Sequence, residues 1–375
     1  MKWELKSLDE IGFIGRGKSR HRPRNAEHLY GGEYPFVQTG DIKAANFRIN
    51  EYSQTYNEAG LAQSKLWKEG TLCITIAANI ADTAILGIDA CFPDSIIGFV
   101  PYEDKSDVRF VKYFFDIFQA RMKSIAVGAA QDNLSLEKLL TFKIPTPPLL
   151  TQRKIASILS AYDDLIENNL KRIKLLEEKA FASYKLIVQN EKLEEFTIEE
   201  LANVVMGQSP TSDTYTNEKE DNLPFHQGVT NFSKYFVEHK IYCKAPIKIA
   251  EEGDILFSVR APVGRINFTS DKICIGRGLC AFRSKKGFQN YFYHQLKEFF
   301  FAEDVIGNGA IFNAVTKVEL MKVKLKTPSE KIQQEFEVEA EQMYNLILNL
   351  TKQNTKLREA RDILLPKLMN GQIEV

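Results

Sequence analysis

The chain repeats itself, and a long internal repeat dictates architecture before any single element is considered. FKIPTPPLLTQRKI (residues 142–155) falls on VKLKTPSEKIQQEF (323–336), with Thr146 and Pro147 over Thr327 and Pro328 and Gln152 over Gln333. KEGTLCITIAANIADTAILGIDAC (68–91) falls on EEGDILFSVRAPVGRINFTSDKIC (251–274) in a slightly longer register, with Gly70 over Gly253 and Cys91 over Cys274. Upstream, PFVQTGDI (35–42) faces PFHQGVTN (224–231). Loop insertions produce such a drift in register. The length, 375 residues, suits two or three domains of ordinary size.

Each half opens with a mixed globular segment and closes with a long helix. TLCITIA and DILFSVRA are short, β-branched and preceded by a glycine turn, which predicts strands. Residues 110–122 and 288–302 carry aromatic side chains at helical spacing, which predicts helices with those rings in the core. The globules are therefore expected to be α+β.

After Pro147 and Pro148 the pattern becomes an unbroken heptad. Ile155, Tyr162, Asn169, Leu176 and Ser183 form one row, and Leu159, Ile166, Ile173, Ala180 and Ile187 the other. The second copy has Phe336, Met343, Leu350, Leu357 and Leu364 in one row and Ala340, Ile347, Asn354 and Arg361 in the other; Pro366 is expected to end or kink this helix, which leaves Leu368 out. A lone buried amide is costly. An antiparallel pairing that sets Asn169 against Asn354 also sets Leu159 on Leu364, Ile166 on Leu357, Ile173 on Leu350, Leu176 on Ile347, Ala180 on Met343 and Ile187 on Phe336, with Tyr162 against Arg361 the exception. At about 1.5 Å per residue the helix over 155–187 is a rod of roughly 50 Å. The expectation is a spacer with two heads related by a pseudo-twofold axis, divided as residues 1–148, 149–194, 195–327 and 328–375.

Composition narrows function by exclusion. No stretch is apolar enough for a membrane span and no secretory signal opens the chain, so an intracellular, cytoplasmic protein is expected. Five cysteines without a CxxC spacing are expected to be buried and reduced, and the five scattered histidines give no metal-ligand spacing, so no metal is expected. The 49 basic and 49 acidic residues cancel, yet residues 11–26 hold five basic and no acidic side chains, and residues 255–286 hold seven basic against Asp271 alone. GFIGRGKS (12–19) matches the phosphate-loop pattern GxxxxGK[ST], but WELKSLDE before it is a poor buried strand and the proline and glycines after it a poor helix. Signatures for base methylation, zinc proteolysis or a serine nucleophile are absent from the sequence.

The ordered set of IPTPPLLTQRKIASILSAYDDLIENNLKRIKLLEEK, REARDILLPKLMNGQIEV and the paired segments TLCITIAANIADTAILGIDACFPDSIIGFVP and GDILFSVRAPVGRINFTSDKICIGRGLCAFR resembles the specificity subunits of type I restriction-modification enzymes, from end to end. The resemblance implies two α+β target-recognition domains separated by two long antiparallel coiled-coil helices, each domain reading half of a bipartite target in double-stranded DNA. It also implies two methyltransferase and two restriction subunits as partners. Those partners would carry S-adenosylmethionine, ATP and magnesium, with no cofactor and no catalysis on this chain. Base reading calls for polar side chains and phosphate holding for cations. In the first domain Arg16, Lys18, Arg20, Arg22 and Arg24 are expected to form a basic DNA-binding loop, with Gln38, Thr39 and Asp41 as polar neighbours. In the second, Gln208, Ser209, Thr211, Gln227 and Asn231 are the counterparts, with Arg260, Arg265 and Arg277 supplying charge. Polar loops that differ this much between the halves imply an asymmetric target. Two other readings stand beside this one: a nucleotide hydrolase built on GFIGRGKS, and a two-headed protein scaffold that binds no DNA.

Overall fold

The computed structural model describes residues 3–76, 81–125, 135–301 and 314–375. Residue 302 of the second expected helix and residue 77 of TLCITIA lie outside them. The chain forms two compact units, Met1–Leu170 with Gln353–Val375, and Lys171–Lys352. The four longest helices are α1 (Val108–Ile125), α2 (Leu149–Asn190), α3 (Gln289–Phe301) and α4 (Glu330–Met369). The division falls inside α2 and α4, so each globule keeps a share of both long helices. Among the described residues no helix is long and apolar enough to cross a membrane.

In unit 1 the main sheet has the strand order Gly12–Arg16, Ile96–Pro101, Leu72–Thr75, Thr83–Leu86, Arg48–Ile49. Its central strands are buried on both faces, which explains apolar runs without alternation. On one face Leu72, Ile74, Ile97 and Phe99 meet Phe110, Val111, Tyr113 and Phe115 of α1. On the other, Cys73, Ala84, Leu86 and Ile96 pack with Trp67 and Phe92. Unit 2 repeats the order with Ala202–Met206, Leu279–Ser284, Ile255–Ser258 and Ile266–Phe268. There Phe257 and Phe282 pack with Tyr291, Phe292 and Leu296 of α3, so most of the rings read as core from the sequence are core, whereas Phe299 is exposed. All five cysteines are free and buried.

The repeat reaches further than the sequence alignment. Glu10 caps Ser7 N at 2.6 Å just before the strand Gly12–Arg16, and Glu200 caps Thr197 N at 2.7 Å just before Ala202–Met206. At the entrance to each long helix the matched glutamine closes the same turn: Gln152 Nε2 donates to Pro147 O at 2.9 Å, and Gln333 Nε2 to Pro328 O at 3.0 Å.

Within unit 1 the helix segments run antiparallel, and Asn169 Nδ2 donates to Asn354 Oδ1 at 2.9 Å with both side chains buried. Leu159 and Ile166 are buried beside this pair, and Leu357 and Leu364 are half-buried. Within unit 2, Ile173 and Ala180 share a core with Phe336, Ala340, Met343, Ile347 and Leu350, and Leu176 packs on its border. Three details depart from expectation. Phe336 meets the ring of Tyr184 at 6.5 Å, while Ile187 is only half-buried, because a tyrosine one turn earlier fills the space against α3. Arg361 pairs with buried Asp163, which also accepts the Tyr113 hydroxyl at 2.5 Å, and Tyr162 is left half-buried. Helix α4 continues through Pro366 to Met369, and Leu368 is buried with Leu365 and Met369. A proline inside a helix costs about 3 kcal/mol. Three buried side chains at about 1.5–3 kcal/mol each outweigh one lost bond near the helix end.

The amide pair has an apolar twin. In the register that sets Gln152 on Gln333, Asn169 corresponds to Leu350 and Asn354 to Ile173, both buried in unit 2. The structure therefore supplies its own replacement. Asn169→Leu should lower stability by about 1–3 kcal/mol, since it strands the Asn354 amide without a partner. Asn169→Leu with Asn354→Ile should recover most of that loss in urea unfolding; losses that simply add would show that the amides do not depend on each other.

Candidate nucleic-acid interface

The basic loop begins where the first strand of the main sheet ends. Gly17 N donates to Ile96 O at 2.9 Å and Lys18 N to Phe92 O at 3.0 Å. A Cβ on Gly17 would lie 2.3 Å from the carbonyl oxygens of Phe92 and Pro93, so only glycine allows this approach. Unit 2 repeats the device: Gly207 N donates to Leu279 O at 2.9 Å and Gln208 N to Ile275 O at 3.0 Å, and a Cβ on Gly207 would lie 2.2 Å from Gly276 O. The close approach accounts for Gly17, and these bonds remove phosphate-loop chemistry from GFIGRGKS. Residues 12–16 are the strand itself, no helix follows until the single turn Glu27–Leu29, and two amides that would cradle phosphate are committed to the sheet. Gly17→Ala should therefore lower the thermal midpoint of unit 1 by several degrees, while Lys18→Ala leaves its unfolding free energy within about 0.5 kcal/mol of the parent, as surface substitutions do.

Three further segments close on each of these loops. In unit 2, Gly276 N donates to His226 O at 2.8 Å, Gly278 N to Gln227 O at 3.1 Å and Val259 N to Gly278 O at 3.0 Å. In unit 1, Val37 N donates to Cys91 O at 2.8 Å and Ile76 N to Ser95 O at 3.0 Å. Both units thus gather four corresponding loop segments around one end of the main sheet.

In unit 2 this frame brings together most of the expected residues. Ser209 Oγ donates to Gln227 Oε1 at 2.7 Å and accepts Arg277 N at 3.2 Å, and Gln227 lies across Gly276. Gln208, Gln227, Arg260 and Arg277 are exposed. Arg265 lines a cavity of about 370 Å³ with Lys234, Lys297 and Glu177. Thr211 is exposed at the start of the turn Ser212–Thr214, and Asn231 is tied to another loop through its carbonyl, which accepts Glu238 N at 2.9 Å. Of the other basic residues in 255–286, Arg283 forms a two-point pair with Asp254 at 2.7 and 2.9 Å, Lys272 and Lys286 pair with Glu251 and Glu330, and Lys285 donates to Glu199 O at 2.6 Å.

Unit 1 separates its residues more sharply. Arg16, Lys18 and Arg20 are exposed. Arg22 and Arg24 converge on Asp94 at 3.7 and 2.7 Å, and Arg22 also donates to Ser19 O at 2.5 Å, so these two arginines fold the loop. Asp41 accepts Gln38 N at 2.7 Å and caps the helical turn Thr39–Ala44, whose first residue, Thr39, is half-buried. Its carboxylate is thereby engaged with backbone. Gln38 Nε2 donates to Gln54 Oε1 at 2.6 Å.

One polar chain is not visible in the sequence. Buried His226 holds Nε2 2.9 Å from His239 Nδ1, and His239 Nε2 lies 3.1 Å from Asp271 Oδ2. Burial, reinforced by the neighbouring His239, pushes the His226 pKa down to about 4, so this ring is neutral near pH 7 and braces the residue beside Gln227. The three residues are separated by loops of unrelated length, and no spacing rule links them.

The family model for the type I restriction modification DNA specificity domain matches residues 1–178 and again residues 190–358. The chain belongs to this family. Both matches end inside a long helix, so the unit that this specificity family repeats is a globule with the first part of the helix that follows it. A putative type I restriction enzyme MjaX specificity subunit from Methanocaldococcus jannaschii is 32% identical over 299 residues, covering 73% of this chain and 70% of that relative. The MjaIX specificity subunit of the same organism is 24% identical over 417 residues, covering 100% of this chain and 94% of the relative. The crystal structure of a type I restriction-modification S subunit from M. genitalium shares the fold, with a TM-score of 0.65 at 18% identity over 98% of this chain and 96% of that one.

Proposed function

We propose that this specificity subunit reads an asymmetric, bipartite DNA target, one half with each four-segment loop cluster. In this reading α2 and α4 set the distance between half-sites and dock two methyltransferase subunits, and two restriction subunits complete the assembly. S-adenosylmethionine, ATP and magnesium belong to those partners; this chain contributes recognition and no bond-making chemistry.

The observation that carries the reading is a shared frame with unshared side chains. Gly17 and Gly207 hold the same close approach in the two units, but the next position is Lys18 in one and Gln208 in the other, and Arg20 is matched by Pro210. Backbone contacts fix register without sequence information, and side-chain donors and acceptors in the groove distinguish bases. A constant frame carrying variable side chains suits both demands. The geometry of GFIGRGKS speaks against the nucleotide hydrolase, and membership of a DNA specificity family speaks against a scaffold that ignores DNA.

The direct test is to exchange residues 1–147 for the corresponding segment of another family member and to map methylated adenines in cells carrying the methyltransferase partner. One half of the target should change and the other should stay; a change in both, or in neither, would refute independent reading. In the same assembly, Arg260→Ala with Arg265→Ala should weaken DNA binding and reduce the salt slope by up to about 2, at roughly 0.9 per lost phosphate contact. An unchanged slope would remove these arginines from the interface.

A further inference from the structure

Lys65 is not among the residues that the sequence marks for DNA, yet the fold sets it on a rigid platform. Trp67 stacks on Phe92 with ring centroids 5.0 Å apart and planes at 18°, and it lies across Gly98, where a Cβ would come within 2.6 Å of the indole. Lys65 Nζ sits on the other side, 3.6 Å from the Trp67 ring and 4.8 Å from the ring of Phe13, which is 48% exposed. The ammonium is therefore held in place by two aromatic faces.

The same segment is joined to the basic loop. Gln63 Oε1 accepts His21 N at 3.0 Å, and Ser64 Oγ donates to Lys18 O at 2.8 Å. Among the described residues neither Lys65 nor Lys18 pairs with a carboxylate. Burial lowers the pKa of Lys65, and the charge of Lys18 lowers it further. Like charges on flexible stems ordinarily swing apart into water. Here rings pin the Lys65 ammonium, and bonds at the Lys18 N and O fix the point from which the second, exposed lysine side chain leaves the loop, so an anion that meets both charges relieves their repulsion.

Resting on the DNA-reading function above, we propose that Lys65 and Lys18 form a clamp for one backbone phosphodiester of the half-site bound by unit 1. A phosphodiester is the anion that duplex DNA presents, and a lysine offers it a point charge without base selectivity. The clamp is confined to unit 1. In the register that sets Gly70 on Gly253, Trp67, Phe92 and Gly98 correspond to Ala250, Ile275 and Ala281, and among the described residues no aromatic ring lies under Lys248, the counterpart of Lys65.

The test uses the chain assembled with its methyltransferase partner and cognate duplex, titrated across a salt series. Lys65→Met keeps an apolar stem on Trp67 and removes the charge; it should weaken binding about tenfold at low salt and make the salt slope shallower by roughly 1. Lys65→Arg should keep the parent slope, and Lys18→Met should reproduce the loss. The preference for cognate over half-site-substituted DNA should be unchanged in all three. A parent slope in Lys65→Met would overturn the clamp, as would an unchanged slope with altered preference at one base, which would make Lys65 a base reader. If Arg260→Ala with Arg265→Ala still lowers the slope, DNA reading survives that failure; an unmodified assembly with no salt-dependent binding would refute both.

Discussion

A buried amide in an apolar seam must find a partner, and that requirement sets where the two long helices stop sliding past each other. Asn169 and Asn354 satisfy one another at 2.9 Å, and the neighbouring Asp163 and Arg361 do the same with charge. An offset of one heptad would face Asn354 with Tyr162 and leave a lone amide, at about 1–3 kcal/mol. Removing Arg361 would leave the buried Asp163 carboxylate without its cation, at about 3–5 kcal/mol. Aliphatic layers alone would tolerate several offsets. In unit 2 the equivalent places hold Ile173, Leu350, Ala180 and Tyr344, so the polar constraint is spent once, in unit 1.

A second constraint governs the loops. Two backbones can approach within van der Waals contact only where a side chain is missing, and Gly17 and Gly207 supply that vacancy at the same point of two sheets. Their amides anchor the outgoing loop to the neighbouring strand, and the next few residues are then free to vary. Recognition can diverge on such a frame without disturbing the core beneath it. The aromatic platform under Lys65 shows how far the two units differ above a common sheet, since unit 2 keeps the strand order and has Ala250 in place of Trp67.

Much of this is legible in the sequence where a period or a repeat carries the information. The heptad survives from Ile155 onward, so the seam, its direction and the Asn169–Asn354 pair can be read directly. Pro366 misleads because propensity alone takes no account of the buried Leu365, Leu368 and Met369 that hold the last turn. The match of Ser7 and Glu10 to Thr197 and Glu200 is hidden because loop insertions put it in a different register from the matches at Gly70 and Gln152. The interface is only partly legible. Composition marks Arg16 to Arg24 as one basic run, but only folding shows that Asp94 engages Arg22 and Arg24, that Asp41 caps a helical turn and that Ser64, next to Lys65, bonds the Lys18 carbonyl. Those relations join residues far apart in the chain or depend on a turn that composition does not specify, and no local rule connects them.

The central claim is that two copies of one frame address different halves of a single target. Photocrosslinking from the loop of each frame tests it most directly, with a benzophenone side chain at Arg20 in one preparation and at Gln208 in another, each assembled on the same end-labelled cognate duplex. The account requires crosslinks at opposite half-sites, one from each position. Crosslinks from both positions to the same half-site, or from neither, would contradict it.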